Sequence, residues 1–282
     1  MSERDQIPGM SELGELCELA AAVATEAGRI LSSRFSAAGP TQEVTNSVTA
    51  KSSLTDPVSE ADRASEQLIV GRLAATRPDD GVLAEESGAN EGTSGLTWVV
   101  DPLDGTVNFL YGLPLFGVSI ALRSRSATLV GVVHDPSRGE TFTAIRGGGA
   151  YRDGVRLLLR SGPSLDKALV ATGFSYDSGR RRSEADLLSN VVAHVRDIRR
   201  AGAAALDLCW VAAGRLDGFY EAGLAPWDTA AGALIVSEAG GTVEEVPGLL
   251  KDYPETPTLT ACAPGLSAAL HEILLAAREA AR

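Results

Sequence analysis

Cysteine is scarce. Cys17, Cys209 and Cys262 are odd in number, far apart and outside any C-x-x-C pair. That excludes a disulfide framework and a cysteine-based zinc site, and it predicts buried free thiols in a reducing compartment. Aromatic residues are only 5% of 282, so a core here must be made largely of Ala, Val and Leu. Positive charge is in the minority: 25 Lys and Arg stand against 37 Asp and Glu, a net charge of −12. This balance argues against a nucleic acid or an anionic membrane as partner. No apolar run approaches the ~18 residues of a membrane span. Residues 1–5 are polar and lead into no signal-like apolar stretch. The expected location is cytoplasmic. No internal repeat or long linker breaks the chain.

One stretch stands out: Trp98-Val99-Val100-Asp101-Pro102-Leu103-Asp104-Gly105-Thr106-Val107-Asn108-Phe109. Val99 and Val100 favour a buried strand, and Pro102 should stop it in a central ladder. Two carboxylates then meet at a bend, with the Leu103 carbonyl between them. These are hard oxygen donors of the kind Mg²⁺ selects. Gly105 and Thr106 supply backbone N–H groups in a tight turn, suited to a phosphate oxygen. Asp-Pro and Asp-Gly are also ordinary turn formers, so the stretch points to phosphoryl chemistry only if acids converge from elsewhere.

Other segments offer them. Val82-Leu83-Ala84 reads as a short strand ending at Glu85-Glu86, with 89–95 as loop. Asp62 precedes a helix with Ala61, Ala64, Leu68 and Ile69 on its inner side, and is either a helix-start acid or a site carboxylate near Lys51. Leu216 to Glu221 reads as a strand that again ends in acid. Pro226 and Gly240 bracket a helix whose first turn holds Asp228, where the macrodipole alone would welcome a negative charge.

The remaining elements follow from periodicity. Leu13, Leu16, Ala20, Val23, Ala27 and Leu31 recur at helical spacing, with Ser11 as the candidate cap. Residues 36–50 read as loop. Segments 118–122, 128–133 and 140–144 form an antiparallel meander, and Gly147-Gly148-Gly149 a turn without a nucleotide fingerprint's context. A strand at 168–172 precedes a helix running from Arg180 to Arg196. Its Arg180-Arg181-Arg182 run is a solvated face or the mouth of an anion site. A helix over 202–210 ends near Gly214, 258–261 is a last strand, and Leu266, Leu270, Ile273, Leu274 and Ala277 mark a final helix.

The long W-x-x-D-P-x-D-G-T-x-N-F signature, Ala84-Glu85-Glu86-Ser87 and Trp227-Asp228-x-Ala-Ala-Gly together resemble the inositol monophosphatase family, Mg²⁺-dependent and lithium-sensitive phosphatases related to fructose-1,6-bisphosphatases. Weaker matches lie at Asp56-x-Val58-Ser59-x-x-Asp62, Gly202 to Asp207 and Tyr220-Glu221. The resemblance implies an α/β (α+β) chain folded as a layered α-β-α-β-α sandwich. It implies one domain over 1–282, with a metal-binding lobe of roughly 11–160 and an α/β lobe of roughly 161–282 as its subdivision. It implies two or three Mg²⁺ ions on Glu85, Asp101, the Leu103 carbonyl, Asp104 and Asp228. Thr106 with Asp62 would activate water, Glu85 and Asp104 completing the catalytic set. Gly105 and Thr106 would hold phosphate, while Asp104, Ala204 and Glu221 would face substrate hydroxyls.

The implied reaction is hydrolysis of a small phosphate ester, most simply myo-inositol 1-phosphate, by a homodimer. Fructose-1,6-bisphosphate, a nucleotide 3′-phosphate and histidinol phosphate are the alternatives, and a macromolecule-binding protein on this fold is the alternative of another class. Ser59 and Ala203 depart from a usual Thr or Ser, and Val107 from a frequent Thr. Those changes bear on the substrate and leave the metal ligands intact.

Overall fold

The computed structural model describes residues 7–35, 49–50, 57–58 and 60–280. Of the loop expected at 36–50, residues 36–48 lie outside them, as do Lys51, Asp56 and Ser59, while Thr49 and Ala50 form a short strand. Helix α1 (Met10–Arg34) buries Leu13, Leu16, Ala20, Val23, Ala27 and Leu31, the face its spacing predicts. Its cap is Gly9 rather than Ser11, and no side chain closes that end. Helix α2 (Glu60–Thr76) lies beside α1 and buries Ala61, Ile69 and Leu73. A two-residue pair, β1 (Thr49–Ala50) with β2 (Pro57–Val58), precedes it.

The main sheet has eight strands: β3 (Gly81–Ala84), β4 (Gly88–Asn90), β5 (Thr97–Asp104), β6 (Gly117–Arg123), β7 (Thr128–Asp135), β8 (Glu140–Ile145), β9 (Gly149–Arg152) and β10 (Val155–Leu157). Their order is β10-β9-β8-β7-β6-β5-β3-β4, antiparallel except where β3 meets β5. Pro102 does not end its strand. The β5–β6 register shifts between Asp101 and Asp104, so the proline sits in an irregularity where its missing N–H costs no ladder bond. Ala89 and Asn90, expected as the start of a loop, belong to the edge strand β4. Gly88 at φ 78° turns the chain back there, and the exposed strand pairs through backbone alone.

The sheet is buried on both faces. Trp98, Val100, Ile120, Leu122, Val130 and Val132 point at α1 and α2, while Val99, Ala121, Val133 and Phe142 point to the other side. That second side receives α5 (Ala204–Ala212) and α6 (Pro226–Glu238), packed against each other, while the short α3 (Thr106–Leu110) that follows β5 sets Phe109 against Phe35 and Phe116 in the core on the α1 side. Between α3 and α5 the chain forms α4 (Ser178–Val191), which ends five residues before the expected Arg196. Close approach is enforced by glycine: a Cβ on Gly131 of β7 would stand 2.7 Å from the Ala231 carbonyl oxygen in α6.

Beyond α5 and α6 lies a five-stranded sheet of order β12-β11-β13-β15-β14, made of β11 (Leu169–Thr172), β12 (Asp197–Arg199), β13 (Gly218–Ala222), β14 (Thr242–Val246) and β15 (Thr258–Cys262). Its outer face is covered by α4 and α7 (Ser267–Ala280) through Leu187, Val191, Leu270 and Leu274. The layers are α-β-α-β-α, as the resemblance implied. Strand β9 and the edge strands β10, β12 and β14 were not expected from the sequence. All three cysteines are free and buried, and no described helix is long and apolar enough to cross a membrane.

Candidate active site

The bulge of β5 determines the floor of a deep cavity. Asp101, Leu103, Asp104, Gly105 and Thr106 all line it. The Asp101 side chain accepts the Leu103 N–H at 3.0 Å, which folds the bulge back on itself. Gly105 turns at φ 86°, and a Cβ there would sit 2.7 Å from the Leu115 carbonyl. No other residue type fits that turn without strain. The turn delivers Thr106 to the start of α3. Its hydroxyl donates to the Leu103 carbonyl at 3.0 Å and lies 3.4 Å from Asp62 Oδ2.

Asp62 is fully buried in the first turn of α2. A helix-start acid alone would face water, so its aim at Thr106 joins the second layer to the floor. Glu85 follows the end of β3 and lines the cavity. Oxygens of Asp62, Glu85 and Glu86 lie within 4.8 Å of one another. Glu86 stands in the quoted Ala84–Ser87 motif, but the sequence reading gave it no role.

Asp104 makes a link that no local pattern could announce. Its two oxygens accept the N–H groups of Ala204 at 3.2 Å and Ala205 at 2.8 Å. The N-cap of α5 is Ala203, which has no side chain able to cap. A carboxylate about a hundred residues earlier supplies the cap instead. The missing hydroxyl at Ala203 was visible in the sequence; the residue that replaces it was not.

Asp228 also plays two structural parts. It lines the cavity, and its Oδ2 accepts the Ala225 N–H at 2.7 Å at the start of α6. The helix-start reading is correct and coexists with the cavity position. Glu221 lies one residue before the end of β13, opposite Leu259 of β15. Its carboxylate occupies the space a Cβ on Gly173 would need, and it too lines the cavity, as does Ala204.

Burial pushes the Asp101 carboxyl well above its usual range, and Glu85, Asp104, Asp228 and Asp62 push it further. Burial likewise raises Asp104 to about 7, against the lowering effect of the Ala205 N–H. Five acids thus repel one another in a desolvated place. Hard oxygen donors crowded in this way fit a divalent cation, which relieves both the repulsion and the cost of burial.

The cavity holds about 750 Å³. Its upper wall was only partly foreseen. Arg180 and Arg181 do line it, while Arg182 is exposed elsewhere. Arg200, Tyr176, Leu224 and Trp227 were not picked out as site residues. Arg200, Tyr176 and Leu224 come from loops and Trp227 from the first turn of α6, and such proximity leaves no local signal.

An α-β-α-β-α chain that brings carboxylates from three strands and one helix start into one cavity has the build of a cation-assisted phosphatase. The inositol monophosphatase family model matches residues 12–282. The chain belongs to the inositol monophosphatase family, whose members depend on Mg²⁺ in general. It is 48% identical over 193 residues to the Nus factor SuhB of Pasteurella multocida, covering 68% of this chain and 72% of that one. It is 44% identical over 227 residues to an inositol-1-monophosphatase of Mesorhizobium japonicum, covering 80% and 83%. Among solved structures, the extragenic suppressor protein suhB of Bartonella henselae superposes with a TM-score of 0.82 at 40% identity, covering 92% of this chain and 98% of that one.

Proposed function

We propose that the protein hydrolyses myo-inositol 1-phosphate to inositol and inorganic phosphate with the help of Mg²⁺. The observation that carries this reading is the convergence of Glu85, Asp101, Asp104 and Asp228 on one cavity beside the Thr106 hydroxyl, with Asp62 buried next to that hydroxyl. Glu85, Asp101, the Leu103 carbonyl, Asp104 and Asp228 would hold the cations. When bound, Mg²⁺ neutralises phosphate oxygens and lowers the pKa of water.

The chain's own groups do the rest. Thr106 accepts a hydrogen bond from the attacking water and orients it. Asp62, next to the Thr106 hydroxyl, receives the proton that the water loses. A positioned base of this kind contributes roughly 10²–10⁴ in rate. The N–H groups of Gly105 and Thr106 hold the ester phosphate. The leaving alkoxide takes a proton from solvent water and Asp62 gives its proton back to solvent, so one ester bond and one water become an alcohol and phosphate. Glu221 and Asp104 accept hydrogen bonds from the ring hydroxyls, which selects a polyol over a plain alkyl group.

A second reading comes from relatives called Nus factors, which would place a macromolecular partner on this fold. Retention of every proposed ligand and of the Thr106–Asp62 pair favours catalysis as at least one of the activities. Phosphate release should be measured with inositol 1-phosphate, fructose-1,6-bisphosphate, a nucleoside 3′-phosphate and histidinol phosphate. Release from inositol 1-phosphate should be fastest among the monoesters and vanish on chelation. Activity that survives exhaustive chelation would sink the metal-assisted reading.

A further inference from the structure

A groove of about 440 Å³ shares no lining residue with the candidate active site. One wall is β10 and the segment after it, and the other is the end of α5 and the approach to β13. Backbone bonds fix both. The Leu159 N–H donates to the Ala239 carbonyl at 2.9 Å, the Gly162 N–H to the Pro264 carbonyl at 2.8 Å, and the Ala263 N–H to the Asp217 carbonyl at 2.9 Å. The groove is therefore formed before anything enters it, which lowers the cost of binding.

Charge, apolar surface and open backbone meet there. Arg152, Arg156 and Arg160 line the groove against one acid, Asp217, on a chain whose net charge is −12. Asp217 is already committed, its Oδ2 accepting the Leu169 N–H at 2.8 Å. Arg152 lies 3.6 Å from Glu140. Among the described residues, no ion pair joins Arg156 or Arg160 to a carboxylate. Between these charges, Leu158 is 71% exposed, the most of any large hydrophobic side chain among the described residues, and Val155 is 65% exposed.

The backbone of β10 is open because this strand ends the eight-stranded sheet. Asp153 at φ 50° and Gly154 at φ 77° make a two-residue turn that sets Val155 opposite Arg152 and Leu157 opposite Ala150. In such a hairpin those two pairs exchange the hydrogen bonds, so the N–H and carbonyl of Arg156 point away from β9.

A charged residue on a sheet edge is the ordinary guard against pairing with another copy, and a two-fold mate would set arginine against arginine here. That guard leaves the two exposed aliphatic side chains unexplained. Single-stranded RNA binds by stacking its bases on aromatic side chains, and none lines the groove. An extended acidic chain with apolar side chains meets all three features: backbone on Arg156, aliphatic groups on Val155 and Leu158, carboxylates on the arginines.

We propose that this groove is a docking site for an extended acidic segment of a partner protein, apolar at alternate positions, which adds a strand to β10. The inference is independent of the phosphatase reading.

The test uses the full chain and a fluorescent heptapeptide in which Asp and Leu alternate. It should bind at least about tenfold tighter than the matching Lys–Leu and Asp–Ser peptides, the scale of one good charge-assisted or apolar contact. An Asp–Leu peptide N-methylated at alternate residues should lose a similar factor, because it cannot pair with the edge. Arg156→Glu, Arg160→Glu and Leu158→Asp should each weaken binding by about tenfold or more, and Arg156→Gln by less. Melting temperatures check that the variants are folded, and the comparison of peptides on the wild type needs no variant. No binding at about 1 mM peptide, equal binding of the Lys–Leu or Asp–Ser peptide, or unchanged affinity in the folded variants overturns the proposal. So does an oligouridine that outcompetes the peptide and loses its own affinity in the Arg variants, which would make this a nucleic-acid surface. A dimer that Leu158→Asp converts to monomer in sedimentation would show a second copy covering the groove, and would overturn it too.

Discussion

The floor and the arginine wall of the cavity hold opposite charges by different means. Floor acids sit at a strand bulge and at helix starts, and backbone N–H groups hold them: Leu103 for Asp101, Ala204 and Ala205 for Asp104, Ala225 for Asp228. Backbone partners cannot swing away, so the floor is preorganised at the cost of mutual repulsion. The wall is carried by a loop, one exposed helix start and long side chains resting on carbonyls and a ring. Long side chains keep rotamer freedom and can adapt to what they meet. The floor is therefore built for one reaction, and the wall for choosing what enters.

The largest expected effect breaks the floor. Asp101→Asn keeps shape and hydrogen-bonding capacity but removes one of five mutually repelling charges. Turnover should fall by at least about a hundredfold, the scale seen when a single electrostatic contact to a transition state is removed. Without Mg²⁺ the variant should melt no lower than wild type, because repulsion is relieved. The rise in melting temperature on adding Mg²⁺ should shrink, since a ligand stabilises in proportion to its affinity for the folded state. Unchanged turnover, or an unchanged Mg²⁺-induced rise, would remove Asp101 from the cation site.

What was legible in the sequence follows the same division. The floor is written in short-range chemistry: a strand, two aspartates three apart, a glycine with no alternative, a proline opening a helix. Those signals mark Asp101, Asp104, Gly105 and Asp228 as turn or helix-start residues, and only the family resemblance made them candidates for one site. Pro102 misled because a local rule about ladders gave way to a bulge. The cap that Asp104 puts on α5 is long-range, as is the meeting of Arg180 with Arg200, and only the topology creates either. Edge strands such as β4 and β12 pair through backbone, so their side chains carry no periodic pattern.

A smaller effect sharpens the boundary between floor and wall. Glu221 lies between them, acted on by Arg200 on one side and by Asp228 and Asp104 on the other. If it reads hydroxyls, Glu221→Ala should lower kcat/KM for inositol 1-phosphate by roughly ten- to a hundredfold, as expected for a lost charged hydrogen bond. A simple alkyl phosphate, which offers no hydroxyl, should lose far less. Equal loss on both substrates would make Glu221 a structural support of the floor. No loss on either would leave it a filler of the space beside Gly173.

The smallest effect probes how firmly the wall is held. Asp177 is the N-cap of α4, its Oδ1 accepting the Arg180 N–H at 2.8 Å, and the residue is exposed. Replacing such a cap with alanine costs about 1 kcal/mol. In a chain of this length that corresponds to a melting shift of roughly 2–4 °C at most. Because the floor owes nothing to this bond, kcat on inositol 1-phosphate should stay within about twofold of wild type, less than the energy of one cap would give if fully felt there. Frayed α4 would let Arg180 move off Tyr253, so any change should appear in KM for an anion-rich substrate before it appears in turnover. Hydrogen exchange should quicken at the first turn of α4 and stay unchanged across β5. Faster exchange in β5, or a fall in kcat matching the fall in stability, would show that floor and wall are one cooperative unit, and the division drawn between them would not hold.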